Sequence, residues 1–508
     1  MTNQAEKFYN SHLKLSRHCA VLEGINKVMQ WDQETCMPPG GATIRSEQLQ
    51  TLAGIIHKER TSKKYISSLS KLIDIETGEI KHDELSPAKK AAIKLWRRDL
   101  LQQQALPNSF VKKFAQLTSE SILIWRNARK NNNFEEFAPY LDKIVEMNQQ
   151  KAEYLGYDQH PYDALLNSFE PEMTTEEVTK LFNSVKKSMS SLLKKINLKK
   201  QPSDSFLHGK FSEKKQMEFG EMLIEDMGID TDHCRIDFST HPFSSSSHPS
   251  DSRITTRIHP TNFISNILVL LHEGGHSQYE MGLPEEHYGS PLAEAISLGI
   301  HESQSQWWEA KIGMSKPFWK HYLPVLRNTF KGKLDKVTLN TFYKAINKVE
   351  PSLIRVEADE VTYPLHVIVR FELEKALIEG TLEAKDVPTA WNHMTEELLG
   401  IVPENDRLGC LQDIHWSLGG FGYFPTYTLG NMYAAQLFEK FEKDHPDWEK
   451  HVSRGNLEFI KEWLHKSVHK HGRRYSSKDL IKKVTGKKFS EKAYINYIEN
   501  KYKELYKI

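Results

Sequence analysis

The chain has 508 residues, 39% of them hydrophobic and 27% charged, which is enough apolar material for a large core. A formal net charge of +1 gives no general electrostatic reason to expect nucleic acid or an anionic membrane as partner. Four cysteines without CxxC spacing, Cys19, Cys36, Cys234 and Cys410, read as reduced thiols of a cytoplasmic protein. The polar start lacks the apolar stretch of a secretion signal, and no apolar run reaches membrane-spanning length.

Taken in order, residues 4–30 place Phe8, Leu13, Val21, Leu22, Ile25 and Val28 at helical spacing, and the turn Met37–Gly41 ends that element. Further helices are predicted at 43–60, 87–104, 108–130 and 134–155, each bounded by Pro, Asn or Gly clusters. The stretch 199–215 reads as a long exposed loop. After one more helix the period changes to two. Residues 235–241 and 252–258 then read as two strands of a small hairpin, joined by a serine-rich loop at 244–250. A free strand edge there is suited to hold a peptide backbone.

Directly after the hairpin comes an apolar run with Ile264, Ile267, Leu268, Leu270 and Leu271, then His272, Glu273, Gly274, Gly275 and His276. Two histidines four apart share one face of a helix and suit a tetrahedral metal; a carboxylate flanking them suits a general base toward metal-activated water. Two glycines inside a helix cost roughly 1 kcal/mol each, so they mark a close approach of substrate or of a neighbouring backbone. Ser290 and Pro291 predict a helix over 291–313. It holds the candidates for a third ligand, Glu294 and Glu302, two turns apart; spacing does not choose between them, and His301 is also possible. Helices follow at 315–331, 337–349, 358–379 and 386–397. A glycine- and aromatic-rich loop at 409–431 interrupts, and helices resume over 432–508. The expected fold is all-α, with one small β-element beside the metal helix. It forms a single domain over 1–508, with an N-terminal helical region at 1–200, a catalytic region at 215–431 and C-terminal helices at 432–508.

Six separate motifs, in order, carry a resemblance: His241-Pro242-Phe243; Asp251-Ser252-Arg253-Ile254-Thr255, fitting DxRxT; the HExxH at 272–276; His301-Glu302-Ser303; Ile354 to Asp359, fitting IRxxAD; and Gly409 to Trp416, fitting GxxQDxHW. With Trp31-Asp32-Gln33-Glu34-Thr35 before MPPGG, the chain resembles the Taq-type metallocarboxypeptidases over nearly its whole length. That resemblance implies one divalent metal per chain, zinc first and cobalt as the alternative. Its ligands would be His272, His276 and Glu302, with Glu273 as general base. It further implies a deep substrate groove in the helical fold, a homodimer and peptide substrates with a free C terminus. Two departures from the family pattern stand out: Gly274 occupies a position that is commonly a bulky aromatic, and Asn167 and Phe169 stand in the segment Tyr162 to Pro171 where YDxLLDxYEP has Asp and Tyr.

The chemistry asks for two more groups. A planar guanidinium pairs well with a terminal carboxylate, and Arg355 is the first candidate, Arg253 the second. Oxyanion donors are expected from His415 with Tyr427 or Tyr423, and His241 is a further candidate for substrate contact. Rival readings are an endo-oligopeptidase or dipeptidyl carboxypeptidase, and a catalytically inactive helical binding protein.

Overall fold

The computed structural model describes residues 4–259 and 261–508; residues 1–3, at the polar start, and Pro260 lie outside the described residues. The helical periodicity of the first half folds into α1 (Gln4–Thr35), α2 (Ala42–Arg60), α3 (Lys63–Leu69), α4 (Pro87–Ala105), α5 (Asn108–Asn131), α6 (Phe134–Leu155), α7 (Pro161–Leu166) and α8 (Thr175–Asn197). Local chemistry starts these helices. The hydroxyls of Ser62 and Ser86 accept first-turn N–H groups of α3 and α4, and Thr174 with Glu177 closes a capping box on α8.

α9 (Glu213–Asp226) leads to the sheet strands β1 (Cys234–Phe238), β2 (Ser244–His248) and β3 (Asp251–Thr256). The remaining helices are α10 (Phe263–Met281), α11 (Leu298–Gln306), α12 (Lys316–Thr329), α13 (Leu339–Ile346), α14 (Tyr363–Glu379), α15 (Val387–Leu399), α16 (Pro425–Asp444), α17 (Trp448–Val452), α18 (Glu458–Ser467), α19 (Ser477–Thr485) and α20 (Lys492–Tyr506). No described helix is long and apolar enough to cross a membrane. A continuous buried cluster runs from Trp125 to Tyr506, while Ala5, Tyr9, Leu69, Ile93 and Trp96 form a second one with Leu292. α2 contributes no buried residue to either.

The fold is mainly helical with one small sheet, as expected, but the sheet is not a simple hairpin. Its order is β1-β3-β2; β1 runs parallel to β3, and β2 antiparallel to it. The serine run expected as a loop is thus a strand. Its hydroxyls explain why hydropathy hides it. Ser246 Oγ donates to Ser252 Oγ at 2.7 Å, Ser252 Oγ donates to Ser277 Oγ of α10 at 2.8 Å, and Ser244 and Ser277 lie 2.9 Å apart. A polar face satisfied in this way packs without an apolar signature. Nor is the outer edge of β2 free: Lys27 Nζ of α1 donates to the Ser246 carbonyl at 2.9 Å, and Gly24 lets α1 approach the Ser247 carbonyl.

Three further boundaries move. The helix expected from 291 begins at Leu298, because Pro291–Ala293 is a short 3-10 turn and the Ser297 hydroxyl caps the true start. The loop at 409–431 ends at Phe424, since Pro425 opens α16 and puts Tyr427 in its first turn. The segment 199–215 is not wholly exposed: Leu207 and Phe211 are buried, and Gly209 N–H donates to the Thr261 carbonyl at 2.8 Å.

Candidate active site

α10 is anchored by buried Phe263, Ile264, Ile267, Leu270 and Leu271, each worth roughly 1.5–3 kcal/mol on burial. Its two glycines answer to packing. A Cβ on Gly275 would stand 2.8 Å from Ser305 Cα, so only glycine admits the α11 backbone there; a Cβ on Gly274 would meet the ends of Met227 and Ile224. On the other side of α11, a Cβ on Gly430 of α16 would come within 2.6 Å of Glu302 Cβ and Cγ. α11 is therefore clamped between α10 and α16 at the level of Glu302.

His272 and His276 lie with ring centroids 4.9 Å apart. Their Nε2 atoms stand 3.7 and 3.5 Å from the same atom, Glu302 Oε2. Among the described residues this is the one group of His, Cys, Asp and Glu whose ligand atoms all fall within 4.8 Å of one another. Glu294 is elsewhere, bonded to Arg473 Nη1 at 2.5 Å. His301 lies behind the site: its Nδ1 is 2.6 Å from His276 Nδ1, and its Nε2 is 2.8 Å from Glu280 Oε1. On the opposite flank His272 Nδ1 is 2.7 Å from Glu309 Oε2. Both imidazoles are thus held by Nδ1 and present Nε2 inward. Ser305 and Gln306 hold the Glu302 carboxylate at 3.0 and 3.2 Å.

The electrostatics of this cluster call for a cation. Burial pushes Glu273 up to about 7, and it raises Glu302 as well. Burial opposes the charged form of His272, but Glu302 and Glu309 outweigh it and lift the imidazole to about 10. Burial, then the neighbours His301 and His272, depress His276 well below its usual value. Two imidazoles and a carboxylate converging at this spacing, with further buried carboxylates around them, are the donor set of a divalent transition metal.

A second cluster joins the IRxxAD and GxxQDxHW motifs. Asp413 Oδ1 accepts from Arg355 Nε and Nη2 at 3.2 and 3.0 Å, and Oδ2 accepts from Arg370 Nε at 2.7 Å. Gln412 Oε1 accepts from the Arg355 backbone N–H and from Arg370 Nη2. Arg355 is 5% exposed, with Nη1 donating to the Tyr363 hydroxyl at 3.2 Å and its guanidinium 4.7 Å from the Tyr427 ring centroid. His415 Nε2 is 3.3 Å from the Tyr427 hydroxyl, and the rings of Tyr423 and Tyr427 lie 5.4 Å apart. Burial and Glu302 both raise the Tyr427 hydroxyl while Arg355 lowers it, so the aromatic cluster lies within the electrostatic reach of the metal-site carboxylate.

Arg253 and His241 belong to neither cluster. Ser252 and Thr256 bond to α10, so the alternate residue Arg253 faces the other side of the sheet. There it pairs with Asp251 at 3.0 Å and lies 4.5 Å from the Trp31 ring centroid. His241 stands at the surface beyond β1 with its ring partly shielded from water; that partial desolvation, then Arg257, Arg129 and Arg126, lowers its pKa. Sequence reasoning missed Glu309, Glu280, Tyr363 and Arg370; their only signal was proximity to the quoted motifs.

A family model, carboxypeptidase Taq (M32) metallopeptidase, matches residues 11–502. The chain belongs to that family. Carboxypeptidase 1 of Bacillus subtilis (strain 168) is 38% identical over 480 residues, 94% of this chain and 95% of that protein. Thermostable carboxypeptidase 1 of Thermus thermophilus is 39% identical over 511 residues, 99% of each chain. The crystal structure of the M32 carboxypeptidase from Deinococcus radiodurans R1 superposes with a TM-score of 0.95 at 34% identity, over 99% of this chain and all of that one. Membership makes this M32 protein a metal-dependent carboxypeptidase, and its His272, His276 and Glu302 fit the divalent metal that a metallopeptidase needs.

Proposed function

We propose that this carboxypeptidase removes single C-terminal residues from peptides, with Glu273 as general base and with His272, His276 and Glu302 holding zinc, or cobalt in its place. The observation that carries the reading is the pair of inward Nε2 atoms 3.7 and 3.5 Å from one carboxylate oxygen. When bound there, the metal supplies Lewis-acid polarisation and lowers the pKa of water toward neutrality. Glu273, buried beside the two histidines, takes a proton from the attacking water and returns it to the leaving amine. Arg355 receives the terminal carboxylate through Nη1, the one guanidinium nitrogen not bonded to Asp413. Tyr427, with Tyr423 beside it, donates to the oxyanion, and His415 orients the Tyr427 hydroxyl through its Nε2 at 3.3 Å. Arg253 and His241 have no role in this mechanism.

We also propose that the chain acts as one helical unit over 1–508 and forms a homodimer. Val21, Ile25, Ile44 and Ile55 of α1 and α2 remain about half exposed, which supports an isologous contact through that face. Cytoplasmic residence is supported by four free cysteines, three of them buried.

The test is mass spectrometry of a blocked peptide and its C-terminally amidated twin, with metal-loaded protein, a chelated control and Glu273→Gln. Stepwise loss from the free-acid peptide alone, abolished by chelation and by the substitution while metal stays bound, is expected. Internal cleavage of both twins would overturn the reading.

A further inference from the structure

A cavity of about 780 Å3, lined by α1, α4 and the start of α11, is used in none of the steps above. Its wall includes His301, one hydrogen bond from His276, and Phe169, whose ring packs edge-on against Tyr423 at 5.3 Å. It therefore abuts the catalytic groups. Arg355, Asp413 and His415 do not line it, so it lies apart from the groups proposed to hold the substrate terminus.

The charges around this cavity do not balance locally. Its acids are all engaged: Glu23 with Arg60 at 2.7 Å, Asp99 and Glu294 with Arg473 at 2.9 and 2.5 Å, and Glu280 with His301 at 2.8 Å. Three of its cations are not: Lys27, which is exposed and donates to the Ser246 carbonyl at 2.9 Å, and the half-buried Arg98 and Lys151. Among the described residues no carboxylate lies within 4.0 Å of Arg98 or Lys151. Arg98 Nη2 donates only to the Asn167 carbonyl at 3.3 Å, and Lys151 Nζ lies 5.9 Å from the Phe114 ring centroid. Burial lowers both groups; for Arg98 the neighbouring Arg473 adds to this, while Asp99 and Glu172, neither of them in an ion pair with it, only partly oppose it. Half-buried cations without an ion-pair partner are costly in the free protein, and an anion brought by a ligand relieves that cost.

We propose that this cavity binds the peptide upstream of the cleaved bond, and that Arg98 and Lys151 select an acidic side chain there. The identity of the ligand as a peptide rests on the carboxypeptidase mechanism; the preference for a carboxylate rests on the cavity alone.

The experiment uses fluorescent peptides that differ only by Glu, Gln or Lys at each position upstream of the terminal residue. Anisotropy measures their binding to metal-loaded Glu273→Gln, and kcat/KM is measured on the unsubstituted enzyme. At one position Glu is expected to bind about tenfold tighter than Gln, with Lys weakest, and the preference is expected to shrink in high salt. The Glu-to-Gln ratio should fall toward one in Arg98→Gln and Lys151→Gln and return in Lys151→Arg, which also guards against loss of fold. Equal binding of all three peptides at every position overturns the subsite while leaving hydrolysis intact, and so does a preference that survives both glutamine substitutions. Acid-dependent binding without any hydrolysis would keep the subsite and remove the mechanism.

Discussion

Gly275 of α10 lies against the backbone of Gln304 on α11, so that a Cβ would stand 2.9 Å from the Gln304 carbonyl carbon and nearer still to its oxygen. Neither atom moves without moving α11, the helix that carries Glu302. Gly275→Ala is expected to cost about 1–3 kcal/mol through overpacking and to weaken metal binding by displacing Glu302 from the two histidines. Gly274→Ala is the contrast. Its Cβ would meet Met227 Cε at 2.8 Å and Ile224 Cδ1 at 2.9 Å, the ends of side chains that can yield, and alanine restores roughly 1 kcal/mol of helix propensity. Thermal melting with and without zinc separates them; equal melting temperatures for the two variants would remove the close approach as the reason for Gly275.

Glu309 stands on a π-helical turn, Trp307–Gly313, that continues α11. The wider turn goes with a tight contact, since a Cβ on Gly313 would lie 2.5 Å from Leu271 Cδ1 of α10. It also brings the Glu309 carboxylate to His272 Nδ1 at 2.7 Å, which fixes the ring with Nε2 inward and makes it a better ligand. Glu309→Gln is expected to lower zinc affinity by about 10- to 100-fold with little change in the metal-free melting temperature. Competition against a chromophoric chelator measures this, and an unchanged affinity would reduce Glu309 to a packing residue.

How far the sequence foretold this arrangement depended on distance along the chain. The relation of His272 to His276 is local, one turn of one helix, and was legible from spacing. Glu302 was not separable from Glu294 by spacing, because both were expected on one continuous helix; the resemblance to a known family made the choice. The helix in fact starts at Leu298, and the π turn then changes its register, so Glu309 had no visible relation to His272. The sheet was half legible for a different reason. β1 and β3 alternate polar and apolar residues, whereas β2 is held by serine hydroxyls that carry no hydropathy signal. Tyr363 and Arg370 reach the site only because Asp413, far along the chain, gathers Arg355 and Arg370.

Asp413 is the centre of that second cluster, and acid should release it. Burial alone would raise its carboxyl, but Arg370 and Arg355 outweigh burial and hold it well below the usual carboxylate range. The folded protein thus gives up this carboxylate less readily to protons than the unfolded chain does. Its contribution is complete above about pH 4 and is lost as the pH falls through the lower folded value. Asp413→Asn leaves two buried guanidinium groups without their acid and is expected to cost about 3–5 kcal/mol at neutral pH. Urea unfolding at a series of pH values should show the gap between the parent and the variant narrowing as the pH drops below about 4. A gap that stays constant with pH would mean that Asp413 acts through shape and not charge.

The hydroxyl of Tyr427 has a partner that decides what it can do next. Burial pushes His415 down to about 3, so the imidazole is neutral at working pH and carries one N–H. Its Nδ1 is buried without a hydrogen-bond partner, and Asp413 Oδ1 is 4.0 Å away, beyond hydrogen-bond reach. If the proton sits on Nε2, it is donated to the Tyr427 oxygen 3.3 Å away, and the Tyr427 O–H remains free to donate to the developing oxyanion. Tyr423 lies one ring further out, packed between His415 and Phe169. Tyr427→Phe is therefore expected to lower kcat by roughly 100- to 1000-fold with KM nearly unchanged, the pattern of a contact made only in the transition state. Tyr423→Phe should cost distinctly less. Steady-state kinetics on a single blocked dipeptide decides the order, and a larger loss of kcat at Tyr423 would exchange the two roles.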